Sequence, residues 1–233
     1  FHYGWHYFWD TSTTEVGANG VHIMDTVRWA LNKKVHPVKI HCVGGLFADD
    51  TDQETPNVQN SSFEYADGTL VELEVTTHYS PPFGGVYYGS FYYTPKGYIT
   101  SAGKWSTVRG EFTPADRPDP PTGISLHTTN VSFPKIAYNP GPAIPDLSEG
   151  SDDDEGHFEN FIQCVRSRKR EDLRCEILDG HMSTALCLLA NISFRTGRKL
   201  VFDPSTETFP GDKQANAYLT RKYREPYVLP EKV

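Results

Sequence analysis

One helix-length stretch places four polar or aromatic side chains at spacings that could support chemistry. His22, Asp25, Thr26 and Trp29 lie three, four and seven residues apart, so a helix would bring them onto one face. An imidazole exchanges a proton near neutral pH, and a neighbouring carboxylate can hold the ring in one tautomer. The spacing therefore indicates either a general acid or base, His22 oriented by Asp25, or a partly buried histidine that only packs.

The same helix carries a second, apolar face that we expect to pack on the core. Its members are Ile23, Val27, Ala30 and Leu31, displaced from the polar face by about 100°. With the core contact assigned to these residues, the face that carries His22 is left free to line a polar pocket.

Composition excludes two classes of partner. The 233 residues carry a net charge of -8, and an acidic chain does not suit the nucleic-acid backbone. No apolar run approaches the roughly 18 residues that span a bilayer. Four cysteines show no metal-ligand spacing, so we expect reduced thiols and a cytoplasmic protein.

The first half of the chain predicts antiparallel strands. Residues 38–47 have the composition of a buried strand, and residues 63–77 form a hairpin pattern around Asp67-Gly68. Further strands are predicted at 86–93, 97–101 and 105–112. Several tyrosines crowd these strands, which is typical of packing or of a subunit interface. Stacking on a sugar is the alternative.

The second half predicts a long irregular excursion over 113–148, rich in proline, and then helices. One helix carries an apolar stripe at helical spacing, made of Phe158, Phe161, Ile162 and Val165. The next carries Met182, Ala185, Leu186, Leu189 and Ser193 and ends at Gly197, which favours a left-handed cap. A last helix is predicted over 212–223. The acidic run at 152–155 favours a helix N-terminus over a cation site, so we predict no metal.

Several segments together resemble the C-terminal domain of the Gfo/Idh/MocA oxidoreductases. In that family a glycine lies two residues before a histidine and an aspartate three residues after it, as Gly20, His22 and Asp25 do here. Four further segments are similar to one bacterial branch of the family: 1–10, 156–169, 180–200 and 203–227. The resemblance covers both ends of the chain and is weak in the middle.

Two features depart from the family pattern. No G-x-G-x-x-G turn and no Lys-Pro pair occurs in the 233 residues, although family members begin with a nucleotide-binding domain that carries both. We therefore expect this chain to be the second half of a larger enzyme. Many members also carry an aspartate four residues before the histidine, and here that position is Ala18.

The resemblance implies an α+β fold: an open, mainly antiparallel sheet with helices on one face and the other face used for oligomerisation. We expect one substrate-binding and oligomerisation domain over 1–233, with 204–233 as an extended tail that contains a short helix. NAD or NADP would bind the missing N-terminal domain, and no cofactor is expected on this chain alone.

The implied function is NAD(P)-dependent oxidation or reduction of a sugar or polyol. His22 is the expected acid or base and Asp25 its partner, while Asn19, Trp29 and His181 are the expected substrate contacts. Two alternatives stay open: a glycosidase of the same fold that uses NAD transiently, and a non-catalytic carbohydrate-binding or scaffold module. The expected partners are a small sugar and further copies of the chain.

Overall fold

The computed structural model describes residues 4–47, 51–77, 89–95, 97–101, 105–106 and 156–229. Its helices are α1 (Thr14–Ala18), α2 (Gly20–Ala30), α3 (His157–Ser167), α4 (Ile177–Thr196) and α5 (Lys213–Ala217). Its strands are β1 (Lys39–Gly45), β2 (Val58–Glu64), β3 (Leu70–Thr76), β4 (Phe91–Thr94), β5 (Gly97–Thr100), β6 (Trp105–Ser106) and β7 (Leu200–Val201). The predicted mixture of helices and antiparallel sheet is confirmed.

The chain divides into two compact units. The first comprises Phe1–Tyr79 and Leu173–Val233, and the second comprises Ser80–Asp172. The second unit is thus an insertion between β3 and α4 of the first. An insertion of this kind is compatible with one elaborated domain as well as with two, so the single domain over 1–233 stays a prediction.

The first unit is built on a four-stranded antiparallel sheet in the order β3-β2-β1-β7. Its β2–β3 hairpin turns at the predicted Asp67-Gly68, where Gly68 adopts a positive φ of 84° that glycine tolerates best. Val71 and Leu73 of β3 are buried while Glu72 and Glu74 are exposed, as the alternation predicts. β2 begins at Val58, five residues before the start of the hairpin predicted over 63–77.

Helix α4 is the core helix of this unit and packs against β1, α1, α2 and α5. Of the predicted stripe, Met182, Leu186, Leu189 and Ser193 are buried and Ala185 is half-buried, so the stripe is confirmed as the core face. α4 ends at Gly197 in the left-handed conformation, with φ of 67°. Among the described residues it is the one helix long and apolar enough to cross a bilayer, and half of the relevant window is buried inside the protein. That burial is typical of a core helix.

The buried face of α2 differs from the prediction. Gly20, Met24, Val27 and Arg28 are buried, whereas Ala30 is exposed and Ile23 and Leu31 are half-buried. The buried positions follow the spacing i, i+4, i+7 and i+8, and Met24 fills the place that the prediction gave to Ile23. The core face is therefore rotated by about one residue because a charged side chain, Arg28, belongs to it.

A buried amide joins three elements of the first unit. Asn191 of α4 accepts hydrogen bonds from Thr14 Oγ1 at 3.0 Å and from Gln59 Nε2 at 3.1 Å. Its own Nδ2 donates to the carbonyl of Thr13 at 2.6 Å. Because an unmet amide is costly in the interior, this network fixes α1, and with it the start of α2, against α4.

In the second unit, the described strands form a separate antiparallel sheet in the order β4-β5-β6. The helix predicted near residue 157 is confirmed as α3, but its apolar stripe is not a core face. Phe158 and Phe161 are 75% and 56% exposed, and Cys164 is the one buried residue of this helix. The predicted strand residues 86–88 and 107–112, the excursion over 113–148 and the acidic run at 152–155 lie outside the described residues.

The C-terminal tail contains a short helix, as predicted, but α5 covers only Lys213–Ala217 of the predicted 212–223. Asp212 caps it by accepting a hydrogen bond from the backbone N–H of Ala215 at 2.9 Å. The same carboxylate pairs with Arg198 at 2.6 Å. Both contacts hold the pKa of Asp212 below its usual value, the backbone hydrogen bond most of all.

Candidate functional site

Helix α2 presents His22 on its exposed side. The backbone carbonyl of His22 accepts a hydrogen bond from Thr26 Oγ1 at 3.1 Å, and within the described residues its imidazole has no hydrogen-bond partner. Trp29, about two turns after His22, is 64% exposed. His22, Thr26 and Trp29 are thus exposed on α2, and their predicted role in a site stays a prediction.

Asp25 lies on the same helix but turns toward α4. Its carboxylate accepts a hydrogen bond from Ser183 Oγ at 2.6 Å and lies 3.7 Å from the guanidinium of Arg28. No hydrogen bond joins Asp25 to His22 in the described part of the chain. Direct orientation of the imidazole by this carboxylate, which the sequence led us to expect, is therefore not what this structure shows.

Arg28 is the buried link between α2 and the first turns of α4. Its Nη1 donates to Ser183 Oγ at 2.7 Å and to the carbonyl of Asp179 at 3.0 Å, and Nη2 lies 3.5 Å from the Asp179 carboxylate. Arg28 is only 4% exposed, and burial of an unpaired charge would be costly. The chain Arg28–Ser183–Asp25 therefore fixes the angle at which α2 presents His22.

Asn19 lies at the junction of α1 and α2, where it precedes Gly20. Its amide donates to the carboxylate of Glu15, so both polar groups upstream of His22 are held on the same side of α1. Asn19 is exposed. It is the predicted substrate contact nearest to His22 in the chain.

His181 belongs to a second constellation, which three distant segments build. His36 lies between α2 and β1, His181 in the second turn of α4, and Glu207 in the loop after β7. Glu207 Oε1 lies 3.1 Å from His36 Nε2 and 3.0 Å from His181 Nε2, and Oε2 is also 3.0 Å from His181 Nε2. We call these three residues the histidine–glutamate cluster.

Burial differs sharply within the histidine–glutamate cluster. His36 is 2% exposed, whereas His181 and Glu207 are 46% and 45% exposed. Burial lowers the pKa of His36, although the hydrogen bond to Glu207 opposes that shift. The hydrogen bond from His181 lowers the pKa of Glu207. The cluster therefore pairs a charged carboxylate with a ring that favours its neutral form.

Packing holds the His36 ring in place. The ring meets those of His181 and Phe202 edge-on, with centroids 5.6 and 5.7 Å away. Its Nδ1 is buried and has no hydrogen-bond partner in the described ranges. The polar chemistry of His36 is therefore directed through Nε2 toward Glu207.

The histidine–glutamate cluster lines a cavity of about 320 Å³ in the first unit. Arg195 also lines it, with its guanidinium 4.8 Å from the ring centroid of Trp9 and 4.3 Å from that of Tyr218. Such stacking holds a cation against aromatic faces. The remaining lining residues are Ser12, Thr13, Ala185, Leu188, Leu189, Asn191, Ile192, Phe202 and Leu219.

The predicted site residues thus fall in two groups. Asn19, His22, Asp25 and Trp29 share α2 or its N-terminus, whereas His181 joins the histidine–glutamate cluster. Sequence reasoning missed His36 and Glu207 as site residues, because neither has a spacing that connects it to His181. The one available signal was Glu207, which lies inside the C-terminal segment that resembles the family.

Comparison with known proteins identifies the C-terminal part of the chain. Residues 135–229 match the family model described as the oxidoreductase family C-terminal alpha/beta domain, of the Gfo/Idh/MocA type. No curated protein matches the chain.

Two solved structures align with most of the chain. The WlbA dehydrogenase from Bordetella pertussis, solved in complex with NADH and UDP-GlcNAcA, is 14% identical, with a TM-score of 0.45. A myo-inositol dehydrogenase from Corynebacterium glutamicum is 13% identical, with a TM-score of 0.39. The WlbA alignment covers 82% of this chain and 44% of the WlbA chain. The alignment with the myo-inositol dehydrogenase covers 81% of this chain and 50% of that enzyme.

The family match confirms the resemblance drawn from the sequence, while the bacterial branch stays a prediction. Over residues 135–229 the chain is therefore similar to the C-terminal α/β domain of the Gfo/Idh/MocA oxidoreductase family.

Proposed function

We propose that this chain is the substrate-binding half of an NAD(P)-dependent sugar or polyol oxidoreductase. The observation that carries the proposal is the exposed imidazole of His22 on α2, within the Gly20, His22 and Asp25 spacing, in a chain whose C-terminal part is similar to an oxidoreductase family. An imidazole that contacts solvent and has no partner within the described residues is free to meet a substrate hydroxyl.

The residues of this chain do not fit a dinucleotide. The 233 residues contain no G-x-G-x-x-G turn, and the described sheets are antiparallel, unlike the parallel sheet of a dinucleotide-binding fold. We therefore assign only proton transfer and substrate binding to this chain. NAD or NADP, the hydride acceptor, would be held by a further domain.

His22 is the proposed general acid or base. In the oxidation direction its neutral ring accepts the proton of the substrate hydroxyl, and in the reduction direction its protonated ring returns one. A histidine side chain can act as a general acid and as a general base. Asn19 and Trp29, close to His22 along the chain, are proposed to contact the sugar, by hydrogen bonding and by stacking respectively.

Asp25 is proposed to act through the protein rather than on the ring. Its hydrogen bond from Ser183 holds α2 against α4, and this contact positions the His22 turn. His181 lies on α4 two residues before Ser183, and we keep it as a proposed substrate contact on the cavity side.

Titration of the chain with NADH and with NADPH tests this division of labour. We expect no measurable binding by calorimetry. Micromolar affinity for either dinucleotide would contradict the proposed architecture. In an enzyme that joins this chain to a dinucleotide-binding domain, sugar-dependent reduction of NAD(P) is expected. Glycoside cleavage without net change in NAD would favour the glycosidase alternative.

Self-association is proposed through the sheet of the second unit. On its described strands Tyr93 is 69% exposed and Ile99 is 37% exposed, and the Phe91 and Tyr93 rings stack with centroids 6.2 Å apart. Aromatic side chains of this kind are enriched at interfaces. Sedimentation at low micromolar concentration should show an oligomer, whereas a monomer would contradict the proposal.

We also propose a cytoplasmic location, which the four free cysteines support.

A further inference from the structure

The histidine–glutamate cluster has the donor set of a transition-metal site. His36 and His181 each offer Nε2, Glu207 offers a carboxylate oxygen, and these three ligand atoms all lie within 4.8 Å of one another. Two imidazole nitrogens and one carboxylate are a common protein ligand set for zinc when one coordination position is left open. None of the three residues belongs to the α2 face that carries His22.

The distances are close to those that an ion would impose. A tetrahedral zinc ion lies about 2.0–2.1 Å from each nitrogen or oxygen ligand, which separates the ligand atoms by about 3.3 Å. Here Glu207 Oε1 is 3.1 Å from His36 Nε2 and 3.0 Å from His181 Nε2. Small movements of the two exposed side chains would be enough to admit the ion.

The cluster is also preorganised by its buried member. The ring of His36 is held edge-on between those of His181 and Phe202, and its Nε2 already faces Glu207. A ligand held by packing loses little freedom on binding a metal. All three ligands line the cavity, so a fourth, exchangeable position would open toward it.

We propose that His36, His181 and Glu207 bind one zinc ion per chain, with its open coordination position directed into the cavity. The ion would tie the loop after β7 to α4 and to the segment before β1. The ligand set is separate from His22, so the proposal stands whether or not the oxidoreductase assignment holds.

Equilibrium dialysis of the metal-stripped chain against zinc, followed by metal analysis, tests the proposal. We expect one zinc per wild-type chain and a raised midpoint of thermal unfolding, because a ligand bound only by the folded state stabilises it. Glu207→Gln keeps the size of the side chain and its ability to accept hydrogen bonds. It should weaken zinc binding at least about 100-fold, since loss of a group that merely orients a ligand costs about 10- to 100-fold.

His181→Ala provides a second variant that should fold, because the side chain is half-exposed, and it should lose zinc to the same degree. The matched controls are His41→Ala and Glu72→Gln, which remove an exposed histidine and an exposed glutamate from β1 and β3. They should bind zinc as the wild type does. Absence of stoichiometric zinc in the wild type, or wild-type binding by Glu207→Gln, would overturn the proposal and leave a hydrogen-bonded cluster.

Discussion

The α2 face and the histidine–glutamate cluster are two groups of potentially reactive side chains in the first unit. They are assembled in opposite ways. The α2 face takes His22, Asp25 and Trp29 from a single helix, and its histidine and tryptophan are exposed. The cluster takes His36, His181 and Glu207 from three segments and buries one member almost completely. A helix face can be recognised by spacing, whereas a cluster of distant segments exists only after folding.

The two regions are joined by Arg28. Its guanidinium is bonded to Ser183 and Asp179 near His181, and through Ser183 it reaches Asp25. Arg28 also opposes protonation of His36 through its charge. A change in Arg28 should therefore affect both regions, while changes in His22 or Glu207 should each affect one.

The largest expected effect is that of His22→Ala in the enzyme that joins this chain to a dinucleotide-binding domain. Loss of a general acid or base should lower kcat by about 100-fold or more and change KM much less. Folding should be unaffected because His22 is exposed. Steady-state kinetics and a circular-dichroism spectrum measure the two effects. An unchanged kcat would assign His22 a purely structural role.

Arg28→Met should have the next largest effect, on stability. The substitution keeps the buried volume but leaves the carboxylates of Asp25 and Asp179 without their cation. Because both carboxylates are partly exposed and can recruit water, we expect a loss of about 2 kcal/mol, less than the roughly 3–5 kcal/mol that a broken buried ion pair costs. Urea unfolding measures it. A loss below about 0.5 kcal/mol would show that Arg28 does not join the two regions.

Asp25→Asn separates positioning from direct chemistry. The amide can still accept the hydrogen bond from Ser183, so kcat should fall only a few-fold, far less than in His22→Ala. The pH dependence of kcat should keep the same midpoint, since Asp25 does not touch the His22 ring. A shift of that midpoint, or a loss equal to that of His22→Ala, would mean that Asp25 acts on the ring after all.

Local spacing predicted what lies within one element. It predicted α4 with its buried Met182 and Leu186, and the Asp67-Gly68 hairpin. It failed where burial depends on another element. Arg28 entered the core because Ser183 and Asp179 receive its charge, and this rotated the buried face of α2. The apolar stripe of α3 is exposed although its pattern is that of a core helix.

The candidate site, too, could be predicted only where its residues lie within one element. His181 was selected from the resemblance, but His36 is 145 residues earlier in the chain and follows no motif. Its partnership with His181 depends on β1 running beside β7 and on α4 packing against β1. Such long-range pairing cannot be recognised from residue spacing. No metal site was predicted from the sequence because only spacing along the chain was considered.

The smallest expected effect concerns a charge pair just beyond the end of α2. Lys33 is 9% exposed and contacts Asp67 at 2.5 Å and Thr69 at 2.7 Å, which ties the segment after α2 to the β2–β3 hairpin. The hydrogen bond from Lys33 lowers the pKa of Asp67 to about 2. A carboxyl group whose pKa is lowered by folding stabilises the folded state at any pH above its pKa in the unfolded chain, about 3.9. This contribution disappears as the pH falls through the folded-state pKa of about 2.

Asp67→Asn should therefore lower the unfolding midpoint at pH 7 and leave it almost unchanged near pH 2. Asp67 is mostly exposed, so solvent screening keeps the effect small, and added salt should reduce it further. Thermal unfolding of both proteins at several pH values measures the difference. Glu74→Gln, on the outward face of β3, serves as the control. If the difference between wild type and Asp67→Asn persists undiminished at pH 2, the turn geometry of Asp67, and not its charge, holds α2 to the hairpin.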